Sequence, residues 1–304
     1  MKYGNIAPLD KPVSRIVAGS DYLMGQGPNV SFRAYDAFWA AGGRAFDSAF
    51  CYGDNTAILG AWTTSRGVAD EAVFLDKVGH PDAGGSTVRR DKVRSQLDRN
   101  HVLLGVEKTD LCVFHRDDPE VPVGEIVDWM NELIAEGRIG GYGGSNWTVD
   151  RIREGNAYAE AHGKQGFSLN NPTFSLAIAA QPLWHGCITL DEDGRRWHEE
   201  SGFPLCLWSS TARGWFAGTQ EADVLRSYDT EENRARRERA RELAERYGVD
   251  PVGIALAYVL NQPMNVFALC GLRTPDQAKA NCASADLVLT PEDLTYLESG
   301  RADS

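Results

Sequence analysis

Residues 73–116 read VFLDKVGHPDAGGSTVRRDKVRSQLDRNHVLLGVEKTDLCVFHR. Two short runs in this stretch, 73–78 and 111–116, are apolar at four of six positions, and each brings an ionisable side chain to its end, Lys77 and His115. Between them, 89–104 carries apolar residues at helical spacing among charged ones. A run that is apolar on both faces does not suit a sheet with one side in water. It suits a parallel strand covered on both sides, and a parallel pair needs a crossover, here the intervening helix. The stretch therefore predicts a strand–helix–strand unit.

Similar runs occur on either side, at 14–20, 45–49, 139–145, 167–171, 204–210 and 265–272. Amphipathic stretches at 31–41, 56–66, 123–136 and 149–162 fill the gaps, with Pro122 before one helix and Gly137 after it as start and stop signals. Repetition of the unit predicts a (β/α)8 TIM barrel, one domain over 1–304 with extra helices near the C-terminus. The rival, an open doubly wound sheet, is disfavoured because no GxGxxG follows the first run and no break in composition divides the chain. Between the seventh and eighth runs, 211–263 contains a loop at 214–229 that could act as a lid, a charged helix at 231–247 and an apolar helix at 251–261. The charged helix, NRARRERARELAERY at its core, reads as a solvated outer helix with i,i+4 ion pairs rather than a nucleic-acid arm. The tail 290–304 opens with Thr-Pro-Glu-Asp, the signature of a capped helix packed on the barrel exterior.

With 304 residues, 42% apolar and 24% charged, the chain can bury a large core without staples. Its net charge of −12 argues against nucleic acid or an anionic membrane as a partner. Six cysteines at 51, 112, 187, 206, 270 and 282 form no CxxC pair, and four sit in apolar runs, as expected of reduced thiols in a cytosolic protein. The opening MKYGNIAPLDKPVSRI lacks a signal-peptide core, and no apolar run is long enough to cross a bilayer. The expectation is a cytoplasmic monomer or small homo-oligomer whose partner is a small molecule.

In such a barrel, polar residues at the C-terminal ends of strands are candidates for chemistry. Asp47 lies in the second run, Tyr52 in the loop after it, Lys77 at the end of the third and His115 at the end of the fourth. Each alone has a bland reading, as a turn former, a packing aromatic, a snorkelling lysine or a satisfied histidine. Together they make chemical sense. A phenol titrates near ~10 and is a poor acid at neutral pH, but a nearby ammonium favours the phenolate and lowers that value. A carboxylate would hold the ammonium in place, and a neutral imidazole would orient a carbonyl oxygen. Such a set protonates oxygen while hydride reaches carbon, and the hydride must come from a cofactor.

These residues and their surroundings resemble the aldo-keto reductase family. The segment Asp47-Ser48-Ala49-Phe50-Cys51-Tyr52-Gly53 is similar to the family's Asp-Thr-Ala-x-x-Tyr-Gly, and Asp110–Arg116 is similar to its histidine segment. Residues 137–147, GRIGGYGGSNW, resemble Gly-Lys-Ile-Arg-x-x-Gly-Val-Ser-Asn, and Gly271-Leu272-Arg273-Thr274-Pro275 with Asn281 resembles the last cofactor loop. The resemblance implies that Tyr52 is the general acid, Lys77 lowers its pKa, Asp47 pairs with Lys77 and His115 orients the carbonyl. It implies NADPH as cofactor, with NADH less favoured and no metal. Ser145, Asn146 and Asn171 would meet the carboxamide, and Trp208 would stack on the nicotinamide. Ser209, Thr211 and Arg213 would track the pyrophosphate, Arg273 and Gln277 would face the 2′-phosphate, and Asn281 the adenine. Gly19, Ser20 and Gly271 complete the cofactor set. Gly144 stands where a Val is common, a departure that looks tolerable. His198-Glu199 is no metal motif, because no second His lies at i+4.

The activity expected is reduction of an aldehyde or ketone, aromatic or sugar-like, to an alcohol. The alternatives are a non-catalytic NADPH-binding sensor or scaffold, a redox-site variant (epimerase, lyase or imine reductase), and a metal-dependent barrel hydrolase, for which only His115 is suitably placed. Tyr22, Phe50, Trp147, Trp184 and Trp215 are candidate pocket walls.

Overall fold

The computed structural model describes residues 1–301. Eight parallel strands close into a barrel: β1 (Ile16–Gly19), β2 (Ala45–Ala49), β3 (Val73–Val78), β4 (Thr109–Phe114), β5 (Ile139–Ser145), β6 (Leu169–Asn171), β7 (Leu205–Leu207) and β8 (Val266–Gly271). β8 pairs with both β7 and β1, through Ala268↔Leu207 and Ala268↔Ile16, and this closes the ring. The expected barrel is present, with β2, β3 and β5 bounded as the sequence implies. β4 starts and ends two residues earlier than its apolar run, so His115 lies just beyond the strand rather than within it.

Side chains alternate across each strand. On β2, Phe46 faces outward into Tyr35, Phe38 and Trp62, with ring centroids 5.7, 5.3 and 5.3 Å away. Burial of each such ring contributes about 1.5–3 kcal/mol and seats the helices Pro28–Ala40 and Asn55–Arg66 on the barrel. Inside, Val17, Ala45, Val73, Leu111, Leu169 and Phe267 pack with Ile6 and Val13 of a small N-terminal hairpin, Tyr3–Gly4 against Val13–Ser14. That hairpin covers the N-terminal ends of the strands and leaves the chemistry to the opposite face.

β5 has the sequence IGGYGGS and brings almost no side chains of its own. A Cβ on Gly141 would lie 2.6 Å from Ser168 Oγ, one on Gly143 2.6 Å from Leu169, and one on Gly144 2.5 Å from the Trp147 ring. Neighbouring side chains occupy that space, so a Val at 144 would not be tolerated here without movement of Trp147.

The segment 214–229 is not a plain loop. It contains a turn, Ala212–Ala217, and a short helix, Ala222–Tyr228, because Val224 and Tyr228 bury themselves. The charged helix Glu231–Tyr247 is mostly solvated as expected, but Arg236 is buried and donates to the Leu176 carbonyl at 2.7 Å. The tail helix Pro291–Ser299 has a capping box from Thr290 and Asp293 and packs on the outer helices, with Tyr296 donating to Glu242 and Arg246 bridging to Asp293. Residues 302–304 of the expected tail lie outside the described residues. Among the described residues no helix is long and apolar enough to cross a membrane.

Candidate active site

Strand alternation turns Asp47 and Lys77 into the barrel mouth from adjacent strands, while Ser48 and Asp76 turn out. Lys77 Nζ lies 2.5 Å from Asp47 Oδ1, and both side chains are 4% exposed or less. The same ammonium donates to Tyr52 Oη at 3.2 Å. A tight turn after β2 delivers the phenol, with the Tyr52 N–H donating to the Ala49 carbonyl at 3.0 Å. His115 is fixed through its backbone, its N–H donating to the Val78 carbonyl at 2.7 Å. Its ring stands edge-on to Tyr52, 5.7 Å between centroids, and edge-on to His80 at 4.9 Å. All four candidates thus line one pocket.

Burial dominates the titration of Asp47, Tyr52 and His115. It raises Asp47 to about 6 even beside Lys77, because desolvation penalises the carboxylate more than the ammonium relieves it. It holds the Tyr52 phenol well above its ordinary value, with Asp47 adding to the effect. The expected lowering of Tyr52 is therefore not found: loss of hydration is the largest effect, and the carboxylates of Asp47 and Asp21 push the same way. His115 is pushed well below the ordinary imidazole value, first by burial and then by Lys77 and Arg116. At neutral pH the site offers a protonated phenol and a neutral imidazole.

A second group of polar residues adjoins the first. Ser145 Oγ donates to the Asn171 carbonyl at 3.1 Å, and Asn146 Oδ1 accepts the Ile188 N–H at 3.1 Å. Asn171 donates its amide to the Cys206 carbonyl. Asn171 Oδ1, Ser20 Oγ and Ser209 Oγ remain buried without a partner, which ordinarily costs about 1–3 kcal/mol each unless something fills the need. Ser209, Ala212 and Arg213 adopt left-handed backbone, φ 56°, 47° and 50°, and Asn146 does so at φ 59°. Such strain persists where the surroundings enforce it, and successive N–H groups in this arrangement form a concavity for an anion.

Gly19, Ser145, Asn146, Trp208, Ser209 and Arg213 form pocket wall with the first four residues, and Ser20 and Asn171 stand directly behind. Thr211 is not on that wall; its carbonyl accepts the Gly214 N–H at 3.2 Å and closes the turn. Gly271, Arg273, Gln277 and Asn281 form a separate cluster after β8. There Gln277 Oε1 accepts the Arg273 N–H at 2.8 Å and Asn281 donates to the Gly271 carbonyl at 3.0 Å. Tyr22 joins the two clusters, with Arg213 4.8 Å and Arg273 5.0 Å from its ring. Unpartnered acceptors, a strained N–H turn and two arginines in sequence along a groove fit an amide-bearing dinucleotide with phosphate linkages. Among the described residues no group of three or more His, Cys, Asp or Glu could hold a metal.

Of the candidate walls, Tyr22 and Trp184 line the pocket, whereas Trp147 and Trp215 are core residues, each 1% exposed, and Phe50 is not on the wall. The sequence reading assigned nothing to Asp21 or Arg116, both of which line the pocket. The only signal for Arg116 was its place directly after His115; a charge past a strand end ordinarily reads as solvated.

A norsolorinic acid reductase of Emericella nidulans is 26% identical over 88% of this chain and 71% of its own length. An aryl-alcohol dehydrogenase of Pestalotiopsis microspora is 27% identical over 89% of this chain and 72% of its own. The solved structure of the glycerol dehydrogenase AKR11B4 from Gluconobacter oxydans superposes with a TM-score of 0.80 at 22% identity, covering 97% of this chain and 94% of that one, a likeness of fold. The model of the aldo/keto reductase family matches residues 19–301, from the last residue of β1 past the tail helix, and so spans both polar clusters. A match of that extent, on a barrel whose mouth gathers these four side chains, means that the chain belongs to the aldo/keto reductase family.

Proposed function

We propose that the protein is an NADPH-dependent carbonyl reductase acting on an aldehyde or ketone, with Tyr52 as the proton donor. The observation that carries this reading is the position of Lys77 Nζ, 2.5 Å from Asp47 and 3.2 Å from Tyr52 Oη. When bound, a reduced nicotinamide dinucleotide supplies hydride to the carbonyl carbon. The chain's own residues manage the oxygen. Tyr52, kept protonated by burial, gives its proton to the developing alkoxide, and the Lys77 ammonium stabilises the phenolate that remains. Asp47 holds Lys77 in position. His115, neutral, donates its ring N–H to the carbonyl oxygen and orients it.

Ser145, Asn146 and Asn171 would hold the carboxamide, with the unpartnered Asn171 Oδ1 as its acceptor. Trp208 would lie against the nicotinamide ring. Ser209 and Arg213 would bind the pyrophosphate, with Gly19 on the pocket wall and Ser20 behind it. Arg273 and Gln277 would read the 2′-phosphate, and Gly271 and Asn281 would flank the adenosine. The aromatic wall of Tyr22 and Trp184, and the aryl-alcohol dehydrogenase among the relatives, favour an aromatic carbonyl.

A panel of aldehydes and ketones, with oxidation of NADPH and NADH followed by absorbance, tests the reading. Tyr52→Phe should lower kcat by roughly 10²- to 10⁴-fold, the usual worth of a positioned acid, and leave NADPH binding intact. Unchanged turnover in that variant would remove Tyr52 from the role. If neither cofactor is oxidised with any carbonyl, the protein is better read as a cofactor-binding sensor.

A further inference from the structure

The pocket wall carries five charged side chains besides the neutral His115. Asp47 is paired with Lys77 at 2.5 Å, and Asp21 with Arg213 at 3.5 Å. These two ion pairs cancel. Arg116 is the fifth, and among the described residues no carboxylate lies within ion-pair distance of it. Its Nη1 donates to the His115 carbonyl at 2.8 Å, and its Nη2 reaches only the Cys187 sulfur at 3.7 Å. Sulfur is a weak acceptor that an anion would displace. The wall therefore presents one uncompensated positive charge, in a chain whose overall charge is −12.

Its position separates it from the two arginines assigned to the cofactor phosphates. Arg116 follows β4, whereas Arg213 follows β7 and Arg273 follows β8. In the closed ring β4 lies opposite β8. A planar guanidinium beside aromatic walls matches a carboxylate through two parallel hydrogen bonds.

We propose that Arg116 is a specificity-determining residue that binds a carboxylate on the substrate, so that the favoured substrates are aromatic aldehydes or ketones carrying an acid group. This rests on the carbonyl-reductase reading above and names the substrate class within it. Arg116 takes no part in hydride or proton transfer. It holds the far end of the substrate while the carbonyl faces Tyr52 and His115.

The test compares 3- and 4-carboxybenzaldehyde with their methyl esters at saturating NADPH, in the wild type, Arg116→Gln and Arg116→Lys. The expected result is a preference for the acids in wild type, carried by KM. In Arg116→Gln the acid-to-ester ratio of kcat/KM should fall roughly tenfold to a hundredfold, the worth of a charged hydrogen bond, with Arg116→Lys between the two. An equal fall in kcat for acids and esters would make Arg116 only a brace for the His115 backbone and overturn the proposal, while the reductase reading stands. If no aldehyde is reduced at all, that reading fails, and the proposal is decided by quenching of tryptophan fluorescence with benzoate and benzamide. Benzoate selectivity lost in Arg116→Gln supports it; equal binding of both probes by wild type and variant overturns it.

Discussion

Asp76 is the neighbour of Lys77 on β3 but faces away from the mouth, toward the helix Arg90–Leu104, and is fully buried. Ser48 Oγ donates to it at 2.7 Å and Asn100 Nδ2 at 2.9 Å, yet among the described residues no cation forms an ion pair with it. Burial is the larger effect and raises its pKa to about 7. An unfolded aspartate titrates near ~3.9. The folded state therefore binds this proton more tightly than the unfolded state, by roughly three pH units. At ~1.36 kcal/mol per unit, that is about 4 kcal/mol. The sign follows: this stability is fully present below about pH 4 and is lost as pH rises toward 7, with no further loss above. Asp76→Asn cannot ionise, so between pH 4.5 and 8 its stability should rise relative to wild type by about 3 kcal/mol, the rest of the loss lying below pH 4.5. For 304 residues, with unfolding entropy near ~2.1 cal/mol/K per residue, the gap corresponds to about 5 °C in Tm. Thermal melts of both proteins across that range measure it, and taking their difference removes the titration of every other group. A Tm difference constant to within about a degree would mean that Asp76 is charged in the fold throughout, and would refute the argument that desolvation outweighs its two hydrogen bonds.

Two further substitutions test packing and cofactor choice. Gly144→Val would place a Cβ 2.5 Å from the Trp147 ring and should destabilise by about 1–3 kcal/mol in chemical denaturation, with Trp147→Leu in the same chain recovering part of the loss. Arg273→Ala should lower kcat/KM for NADPH about tenfold while leaving that for NADH nearly unchanged; the effect is modest because Arg273 is half exposed and shares its charge with Glu221 at 3.3 Å. An unchanged ratio of the two cofactors would show that the 2′-phosphate is read elsewhere.

The barrel was legible because its evidence is local. A run such as 139–145, which holds no charged residue and is flanked by Gly137 and the polar Asn146, marks its own strand. The four mouth residues were legible for a related reason: strand alternation dictates that Asp47 and Lys77 face the same way once their strands are adjacent. What the sequence hid depends on third parties. The two-residue strands of the N-terminal hairpin are too short to show a period. The helix Ala222–Tyr228 spans only two turns and is held by what Val224 and Tyr228 pack against. The direction of the Tyr52 shift needed the depth of the phenol and its closeness to the Asp47 carboxylate, neither of which spacing records. Arg116 looked like a solvated charge because the absence of a nearby carboxylate is a fact of three dimensions.

Gly144 and Trp147 share one volume, since a Cβ at 144 would lie 2.5 Å from the indole. The two positions are therefore thermodynamically coupled: a larger residue at 144 and a smaller one at 147 offset each other, and neither substitution has a fixed cost until the occupant of the other position is named.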